Sequence, residues 1–305
     1  MSQDNRLQVR LISPWSLRVE TATAVFDREI STQRADALLC EWEPAEELWS
    51  FSRRRAWYCC EPECQFRGQA KGTWPRLKAR LRAEEFLWHG HEDVRFRVPH
   101  VTHFQALQMN RNTDRRNKAI AVVSNHGGSP LKAHPDIRFR NQLITSPLVD
   151  LFGRAGWRRY RPHWYSLPRT PLNYQGELPG DWPGEQKRQL LSQYRVCVCL
   201  ENMNEPGYFT EKFVEAVAAG CIPVYRASAD VRDTVLQGAV WFDPADSRWP
   251  GARAIEAALQ ADSHAIQETN NRWLCESPQL AATHSAAVFD RIARILSSTV
   301  AWGRS

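Results

Sequence analysis

The sequence contains no long hydrophobic run, no internal repeat and no low-complexity segment. A membrane-spanning helix needs about 20 consecutive apolar residues, and no apolar run in the 305 residues approaches that length. Residues 1–10, MSQDNRLQVR, also lack the apolar core of a secretory signal peptide. These absences exclude a membrane span. Because a predicted strand begins almost at once, we expect a soluble, cytoplasmic protein.

Cysteine is present, but the spacing that would give it a special role is missing. The chain has eight cysteines. Residues 59–64 read CCEPEC, and no matching pair of Cys or His follows at a zinc-finger spacing. Cys197, Cys199 and Cys221 lie in apolar segments where small buried thiols are ordinary. The pattern predicts reduced structural thiols rather than disulfides, and it predicts no metal site.

Positive charge is in slight excess but is not concentrated in one region. The net charge is +6 and the pI is about 9.0. Short basic runs occur at 53–55, 115–118 and 158–161, and the 13 tryptophans are dispersed. A nucleic-acid surface needs clustered cations and stacking aromatics on one face, so nucleic acid is not a predicted partner. A basic cleft for a small anion, or loose contact with an anionic membrane surface, fits this distribution.

Length and composition describe two globular domains. With 43% hydrophobic and 24% charged residues, the chain can build two α/β domains of ordinary size. Residues 110–117, NRNTDRRN, have no apolar face and are interpreted as the linker. We therefore predict an N-terminal domain at 1–112, a C-terminal domain at 118–285, and a final helix and tail at 286–305.

Hydrophobic periodicity predicts the secondary structure of both domains. Strands are expected at 7–12, 38–41, 56–59, 119–123 and 239–243, and helices at 71–85, 186–194, 229–236, 255–274 and 280–296. Residues 154–184, rich in Arg, Pro, Trp and Gly, are interpreted as a loop excursion.

The most informative stretch is 196–226, which predicts one βαβ unit. An apolar strand at 196–200 is followed by a polar loop, a helix with Thr210 as its N-cap, and a second strand at 222–225. A right-handed crossover makes the two strands parallel, so the loop and the helix N-terminus lie at the carboxyl edge of the sheet. Anionic ligands bind at such edges.

Polar residues on this loop and helix suit a ligand with phosphate and hydroxyl groups. The backbone N–H groups of the helix start, with Lys212 nearby, suit a diphosphate. Glu201, Asn202 and Glu211 can bind hydroxyls of a sugar or a ribose. The alternative is a solvated helix cap whose charges serve only the helix.

The string ENMNEPGYFTEKFVEAVAAGCIPVY closely resembles the signature of the glycosyltransferase family that contains the α1,3/α1,4-fucosyltransferases. That signature runs Glu-Asn, a short variable loop, Tyr-x-Thr-Glu-Lys, a helix and Gly-x-x-Pro-Val. The matching residues are Glu201, Asn202, Tyr208, Thr210, Glu211, Lys212, Gly220, Pro223 and Val224. The resemblance, to the soluble bacterial-type members, implies two facing Rossmann-like domains of GT-B type. It also implies that the C-terminal domain binds GDP-fucose.

The resemblance implies further donor contacts. The family has Val-Val-Ser-Asn after a strand, which Ser124 and Asn125 match here, and then an arginine near a helix start that contacts the donor diphosphate. The planar guanidinium of an arginine can bind two oxygens of the diphosphate. Arg138 and Arg140 are both candidates, and the register of the match does not decide between them. We choose Arg138.

A candidate catalytic base follows the predicted strand at 56–59. Glu61 emerges just past the strand end, and the resembled family has its proposed catalytic base after an aromatic-rich strand in the N-terminal domain. The resemblance therefore implies that Glu61 is the general base, with Glu63 as the alternative. An ordinary loop glutamate is the simpler interpretation of the residue taken alone.

The predicted activity is inverting transfer of L-fucose from GDP-fucose to a hydroxyl of an acceptor glycan, α1,3 to N-acetylglucosamine by resemblance. No Asp-x-Asp sequence occurs, so we expect no strictly required cofactor and a divalent metal that is at most stimulatory. The acceptor is an oligosaccharide or glycoconjugate, as in protein glycosylation or lipopolysaccharide synthesis. A lipid-linked acceptor and peripheral membrane contact are left open. The alternatives are a transferase for another nucleotide sugar and a basic nucleic-acid-binding protein.

Overall fold

The computed structural model describes residues 6–14, 16, 18–42, 44–61, 73–88, 94–98, 114–124, 134–160, 169–178 and 185–298. The chain divides into two compact units. Unit 1 contains the described residues within 1–98, 206–208 and 281–305, and unit 2 contains those within 99–205 and 209–280.

Unit 1 is built on a six-stranded sheet. Its strands are β1 (Leu7–Ile12), β2 (Arg18–Glu20), β3 (Ala24–Asp27), β4 (Ala37–Glu41), β5 (Arg54–Cys59) and β6 (Phe86–Trp88). The order is β2-β3-β1-β4-β5-β6, and only the pairing of β2 with β3 is antiparallel. Helix α1 spans Glu46–Ser50, helix α2 spans Thr73–Arg80, and a 3-10 turn spans Ala83–Glu85.

Unit 2 contains a five-stranded sheet that is parallel throughout. Its strands are β7 (Arg116–Val122), β8 (Val149–Phe152), β9 (Tyr174–Gly176), β10 (Tyr194–Val198) and β11 (Ile222–Val224), in the order β11-β10-β7-β8-β9. The helices are α3 (Pro135–Ile144), α4 (Glu185–Leu191), α5 (Glu211–Ala218), α6 (Ala229–Asp233), α7 (Arg253–Gln260), α8 (Ser263–Glu276) and α9 (Pro278–Ala281). A 3-10 turn spans Ala155–Arg159.

Alternating strand residues fill two cores in unit 1. Leu39 and Tyr58 belong to the core that contains Phe289 of α10 (Ser285–Ser297), the last helix of the chain. Their neighbours Leu38 and Trp57 belong to the opposite core, which includes apolar residues of α1 and α2. This arrangement follows from the period of two along a strand, because successive side chains point to opposite faces.

Unit 2 has a core of its own. Ala119, Val149, Val196 and Ile222 come from four neighbouring strands and pack with Ile255 of α7. The central strands are buried, which explains why they read as nearly continuous apolar runs in the sequence. The fold class predicted from the sequence, α/β with two Rossmann-like domains, is confirmed.

Several element boundaries predicted from the sequence are wrong. The predicted helix at 255–274 is two helices, α7 and α8, because the Asp262 side chain accepts hydrogen bonds from the backbone N–H groups of His264 and Ala265 and starts a new helix. The predicted helix at 280–296 is divided in the same way at His284, whose Nδ1 accepts from Ala286 N.

Other corrections concern strands and loops. The segment predicted as a strand at 239–243 contributes only an isolated bridge between Val224 and Phe242, because β11 is just three residues long. The supposed loop at 154–184 includes the edge strand β9. The predicted linker at 110–117 overlaps β7, which begins at Arg116. The helix predicted at 71–85 ends at Arg80 and is followed by the 3-10 turn.

In the part of the chain that the structure describes, no helix has the length and apolar character needed to cross a membrane.

Candidate functional site

The loop between β10 and α5 carries the signature residues of unit 2. Strand β10 ends at Val198, and α5 begins at Glu211 with Thr210 in the N-cap position. The neighbouring strand β7 is parallel to β10, so polar residues after both strands lie at one edge of the sheet. The predicted strand–loop–helix–strand order of 196–226 is confirmed.

Glu201 lies at the centre of a buried cluster at this edge. Its carboxylate accepts hydrogen bonds from Thr210 N at 2.8 Å, from Thr210 Oγ1 at 2.8 Å and from Lys212 Nζ at 2.7 Å. The Tyr225 hydroxyl, after β11, donates to the same carboxylate at 3.3 Å. We call Glu201, Thr210, Lys212 and Tyr225 the Glu201 cluster. One carboxylate thus connects the loop, the start of α5 and the end of β11.

Burial fixes the protonation of the cluster's tyrosine. Tyr225 is fully buried, and burial together with the nearby Glu201 charge raises the pKa of Tyr225 well above its ordinary value. Its hydroxyl therefore remains a donor. The prediction of Thr210 as N-cap is correct in position, but its side chain binds Glu201 and makes no capping hydrogen bond to α5.

The two candidate arginines of α3 have opposite environments. Arg140 is buried, and its guanidinium donates to Asn202 Oδ1 at 2.5 Å and to Asn141 Oδ1. Arg138 is exposed, and its side chain makes no hydrogen bond or ion pair with another described residue. Arg140 therefore holds the signature asparagine in place, whereas the Arg138 guanidinium is accessible to a ligand.

Asp136 and Arg226 were not predicted from the sequence, yet they fix the same edge. The Asp136 carboxylate accepts from Asn204 N at 2.9 Å and from Arg226 Nη1 at 2.7 Å. Arg226 also stacks over the Phe139 ring, 5.2 Å from its centroid. Asp136 lies in the first turn of α3, and Arg226 follows β11. Their positions at the carboxyl edge of the sheet were the signal in the sequence that could have identified them.

The structure shows fewer contacts for the other residues predicted to bind the donor substrate. Ser124 follows β7, and its carbonyl accepts from Arg154 N at 3.1 Å. Glu211 occupies the first turn of α5 and is half-buried. Asn125 lies outside the described residues.

In unit 1, the predicted base Glu61 lies two residues beyond the end of β5 and is half-buried. The hydroxyl of Tyr208 lies 3.4 Å from Glu61 Oε2 and donates to it. Tyr208 is a signature residue, and with Pro206 and Gly207 it belongs to unit 1. The Gly207 carbonyl also accepts from Phe96 N at 3.2 Å. The alternative base, Glu63, lies outside the described residues.

A buried ion pair that the sequence did not reveal lies in the same unit. Arg97 and Glu41 are both buried and form a salt bridge. The Arg97 guanidinium lies over the rings of Tyr58 and Phe289, 5.5 and 5.0 Å from their centroids. Ser13 Oγ donates to Glu41 at 2.5 Å. This pair fixes the ends of β4 and β5.

Among the described residues, no group of three or more His, Cys, Asp or Glu side chains is arranged to hold a metal ion.

No protein-family model and no curated protein matches the chain. Among solved structures it is similar to an α1,3-fucosyltransferase, at 15% identity over 98% of this chain and 92% of that one, with a TM-score of 0.49. An α1,3-fucosyltransferase with GDP-fucose is 14% identical over 98% and 93%, with a TM-score of 0.42. An α-glucosyltransferase in complex with UDP and a 13-mer DNA is 10% identical over 89% and 74%, with a TM-score of 0.49. Likeness at this level carries no conclusion about activity.

Proposed function

We propose that this chain is an inverting glycosyltransferase of GT-B type that uses GDP-fucose as donor. The observation that supports this most strongly is the Glu201 cluster. Glu201, Thr210 and Lys212 occupy fixed positions of the family signature, and their side chains bind one another directly. A solvated cap whose charges serve only the helix would not need a buried carboxylate that accepts from both the start of α5 and the end of β11.

The chemistry in unit 2 would be stabilisation of the leaving group. The Lys212 ammonium is held by Glu201 and Thr210, and its side chain is 21% exposed. It would face negative charge on the diphosphate together with Arg138 and the N–H groups at the start of α5. Since these cations belong to the protein, we infer that a divalent metal is at most stimulatory.

Unit 1 would supply the general base. The acceptor hydroxyl oxygen attacks the anomeric carbon from the face opposite the nucleotide, and Glu61 takes the hydroxyl proton. The bond from that carbon to the diphosphate oxygen breaks, and its electron pair leaves on GDP. The hydrogen bond from Tyr208 to Glu61 supports this role because it connects the signature loop to the proposed base.

The sugar of the donor and the linkage are finer parts of the proposal. Contacts to a diphosphate do not distinguish fucose from another sugar, so the donor choice depends on the resemblance of 201–224. By the same resemblance, the acceptor is a glycan that carries N-acetylglucosamine, joined α1,3.

The test measures GDP release from GDP-fucose with a pool of N-acetyllactosamine-type acceptors, in comparison with GDP-mannose and UDP-galactose. We expect release to require GDP-fucose. Glu61→Gln should lower the rate by about 10² to 10⁴, as loss of a general base does. Lys212→Ala should lower it by about 10² to 10³, as loss of a group that stabilises developing charge does.

Two exposed residues outside the proposed site provide matched controls, Glu46→Gln in α1 and Arg253→Ala in α7. Equal rates in the wild type and the Glu61 and Lys212 variants would contradict the assigned roles. Absence of guanine-nucleotide binding would contradict the proposal that GDP-fucose is the donor substrate.

The second prediction concerns metal. We expect transfer to continue after dialysis against a chelator, because Lys212, Arg138 and the α5 N-terminus supply the positive charge. Complete loss with EDTA, restored by Mn²⁺, would show that this account of the leaving group is wrong. The same GDP-release assay measures both results.

A further inference from the structure

Unit 1 contains a cavity that none of the proposed catalytic roles uses. It lies at the carboxyl ends of β1 and β4 and has a volume of about 640 Å³. Ligand pockets in proteins typically range from about 300 to 1,000 Å³. The carboxyl edge of a parallel sheet is also where ligands of α/β domains usually bind.

A strained tryptophan forms one wall. Trp42 directly follows β4 and has φ of +77°, a left-handed conformation that glycine adopts easily and tryptophan does not. Two hydrogen bonds hold it there. Trp42 N donates to the Tyr58 carbonyl at 2.9 Å, and Trp57 Nε1 donates to the Trp42 carbonyl at 2.7 Å. Strain of this kind concentrates at functional sites, and here it belongs to a half-buried residue that lines the cavity.

Two charged residues at the rim are open to a ligand. Arg28 and Glu29 are exposed and line the cavity. Arg28 uses Nη2 to bind the Ser13 carbonyl at 3.0 Å, which leaves other N–H groups of its guanidinium. Within the described part of the chain, no side chain or backbone group donates to the Glu29 carboxylate. The rim therefore offers both a donor and an acceptor.

The other charged residues that line the cavity are already paired. Arg10 makes two hydrogen bonds with Glu47, at 2.7 and 3.1 Å, and the buried Glu41 pairs with Arg97. A phosphate site would need an excess of cations, and this cavity has none. An aromatic wall with one donor and one acceptor suits a neutral, hydroxyl-rich ring that has an apolar face.

We propose that this cavity binds a neutral saccharide unit, with the Trp42 ring against the apolar face of the sugar and with Arg28 and Glu29 on its hydroxyls. The identification of that saccharide with the acceptor rests on the proposed function. Binding of the saccharide itself does not, because it needs neither donor nor turnover.

The test measures binding by saturation-transfer NMR and titration, using the full chain and a panel of neutral oligosaccharides. The panel has terminal glucose, galactose, mannose, fucose or N-acetylglucosamine. Trp42→Gly removes the ring and keeps the backbone conformation, since glycine tolerates the positive φ. Glu29→Gln removes only the charge of an exposed side chain. Glu46→Gln, an equally exposed change on α1 outside the cavity, is the matched control.

We expect at least one neutral sugar to bind, with the affinity reduced about tenfold or more in Trp42→Gly and reduced in Glu29→Gln, as for loss of an aromatic anchor and its polar partner. Glu46→Gln should match the wild type. Absence of binding to every sugar, or equal binding by all variants, would overturn the proposal. So would loss of GDP affinity in Glu29→Gln and Trp42→Gly, which would mark a nucleotide site. Saccharide binding without any GDP-fucose binding would preserve this site and reject the proposed function.

Discussion

Arg138 and Arg140 lie two positions apart on α3, and their different surroundings indicate different roles. The buried Arg140 guanidinium is bonded to Asn141 and Asn202, whereas the exposed Arg138 guanidinium has no side-chain partner among the described residues. A buried arginine that holds a loop contributes to stability. An exposed one at the carboxyl edge is available to a diphosphate.

We therefore expect Arg138→Ala to lower kcat/KM for GDP-fucose by about a hundredfold, with little change in thermal unfolding, as for removal of one charge-stabilising group. Arg140→Ala should instead lower the free energy of unfolding by about 3 kcal/mol, because it removes a buried guanidinium and its hydrogen bonds to Asn141 and Asn202. Steady-state kinetics and denaturant titration measure the two effects. Arg138→Lys, which retains the charge and loses the planar fork, should recover part of the activity. The reverse assignment of effects would identify Arg140 as the diphosphate ligand.

Tyr208 has two possible roles that kinetics can separate. The resemblance implies a donor contact, whereas the structure places its hydroxyl on the Glu61 carboxylate. If Tyr208 orients the base, Tyr208→Phe should lower kcat by about tenfold, the effect of losing one hydrogen bond worth about 1.4 kcal/mol, and should leave KM for GDP-fucose unchanged. A raised donor KM at constant kcat would instead support the donor contact. Tyr174→Phe, which changes a half-buried tyrosine of the edge strand β9 in unit 2, is a control.

At the scale of elements, the βαβ segment was predictable because its local signals agree. The apolar run of β10, the amphipathic face of α5 and the turn at Gly220 each favour the structure that forms, and Gly220 has φ of +76°. Agreement of local preference with the final fold is typical of segments that read clearly from sequence. The strand β5 that precedes Glu61 was predictable for the same reason.

Elements were missed where tertiary contacts decide the boundary. Strand β9 has three residues and, among the described strands, pairs with β8 alone, which leaves almost no periodicity to detect. The break between α7 and α8 depends on a cap at Asp262 inside an otherwise amphipathic stretch. Short edge strands and internal helix caps carry weak local signals. A prediction from periodicity therefore omits such strands and joins the helices on either side of such caps.

Prediction of the candidate site from the sequence is limited in the same way. Glu201 and Lys212 were predicted because both lie within one motif. The partnerships of Asp136 with Arg226, and of Glu41 with Arg97, join residues that are far apart in the sequence. No pattern along the chain indicates such pairs, since only the folded sheet brings their strand ends together.

At the scale of the whole molecule, cysteine thiols report on the two units separately. Unit 1 buries Cys40, Cys59 and Cys60, and unit 2 buries Cys197, Cys199 and Cys221. Burial raises the pKa of Cys40 to about 11 and of Cys60 to about 12, and it raises the pKa of Cys221 well above its ordinary value. Burial shields all six thiols from the reagent, and the raised pKa also keeps Cys40, Cys60 and Cys221 from forming the reactive thiolate. These cysteines should therefore resist alkylation at pH 8.5 until their unit unfolds. Cys275 is exposed and should react at once.

This difference allows the location of the donor site to be tested without an acceptor. If GDP binds unit 2 and the units unfold independently, GDP at about 100 times its Kd stabilises unit 2 by about 2.7 kcal/mol. Alkylation of Cys197, Cys199 and Cys221 in mild denaturant should then slow by about a hundredfold, whereas Cys40 and Cys60 should be unaffected. Peptide mapping of the alkylated Cys275→Ser variant measures each site. Protection of the unit 1 thiols alone would show that GDP binds unit 1 and would contradict the proposed donor site. Equal protection of all six thiols would show that the two units unfold together.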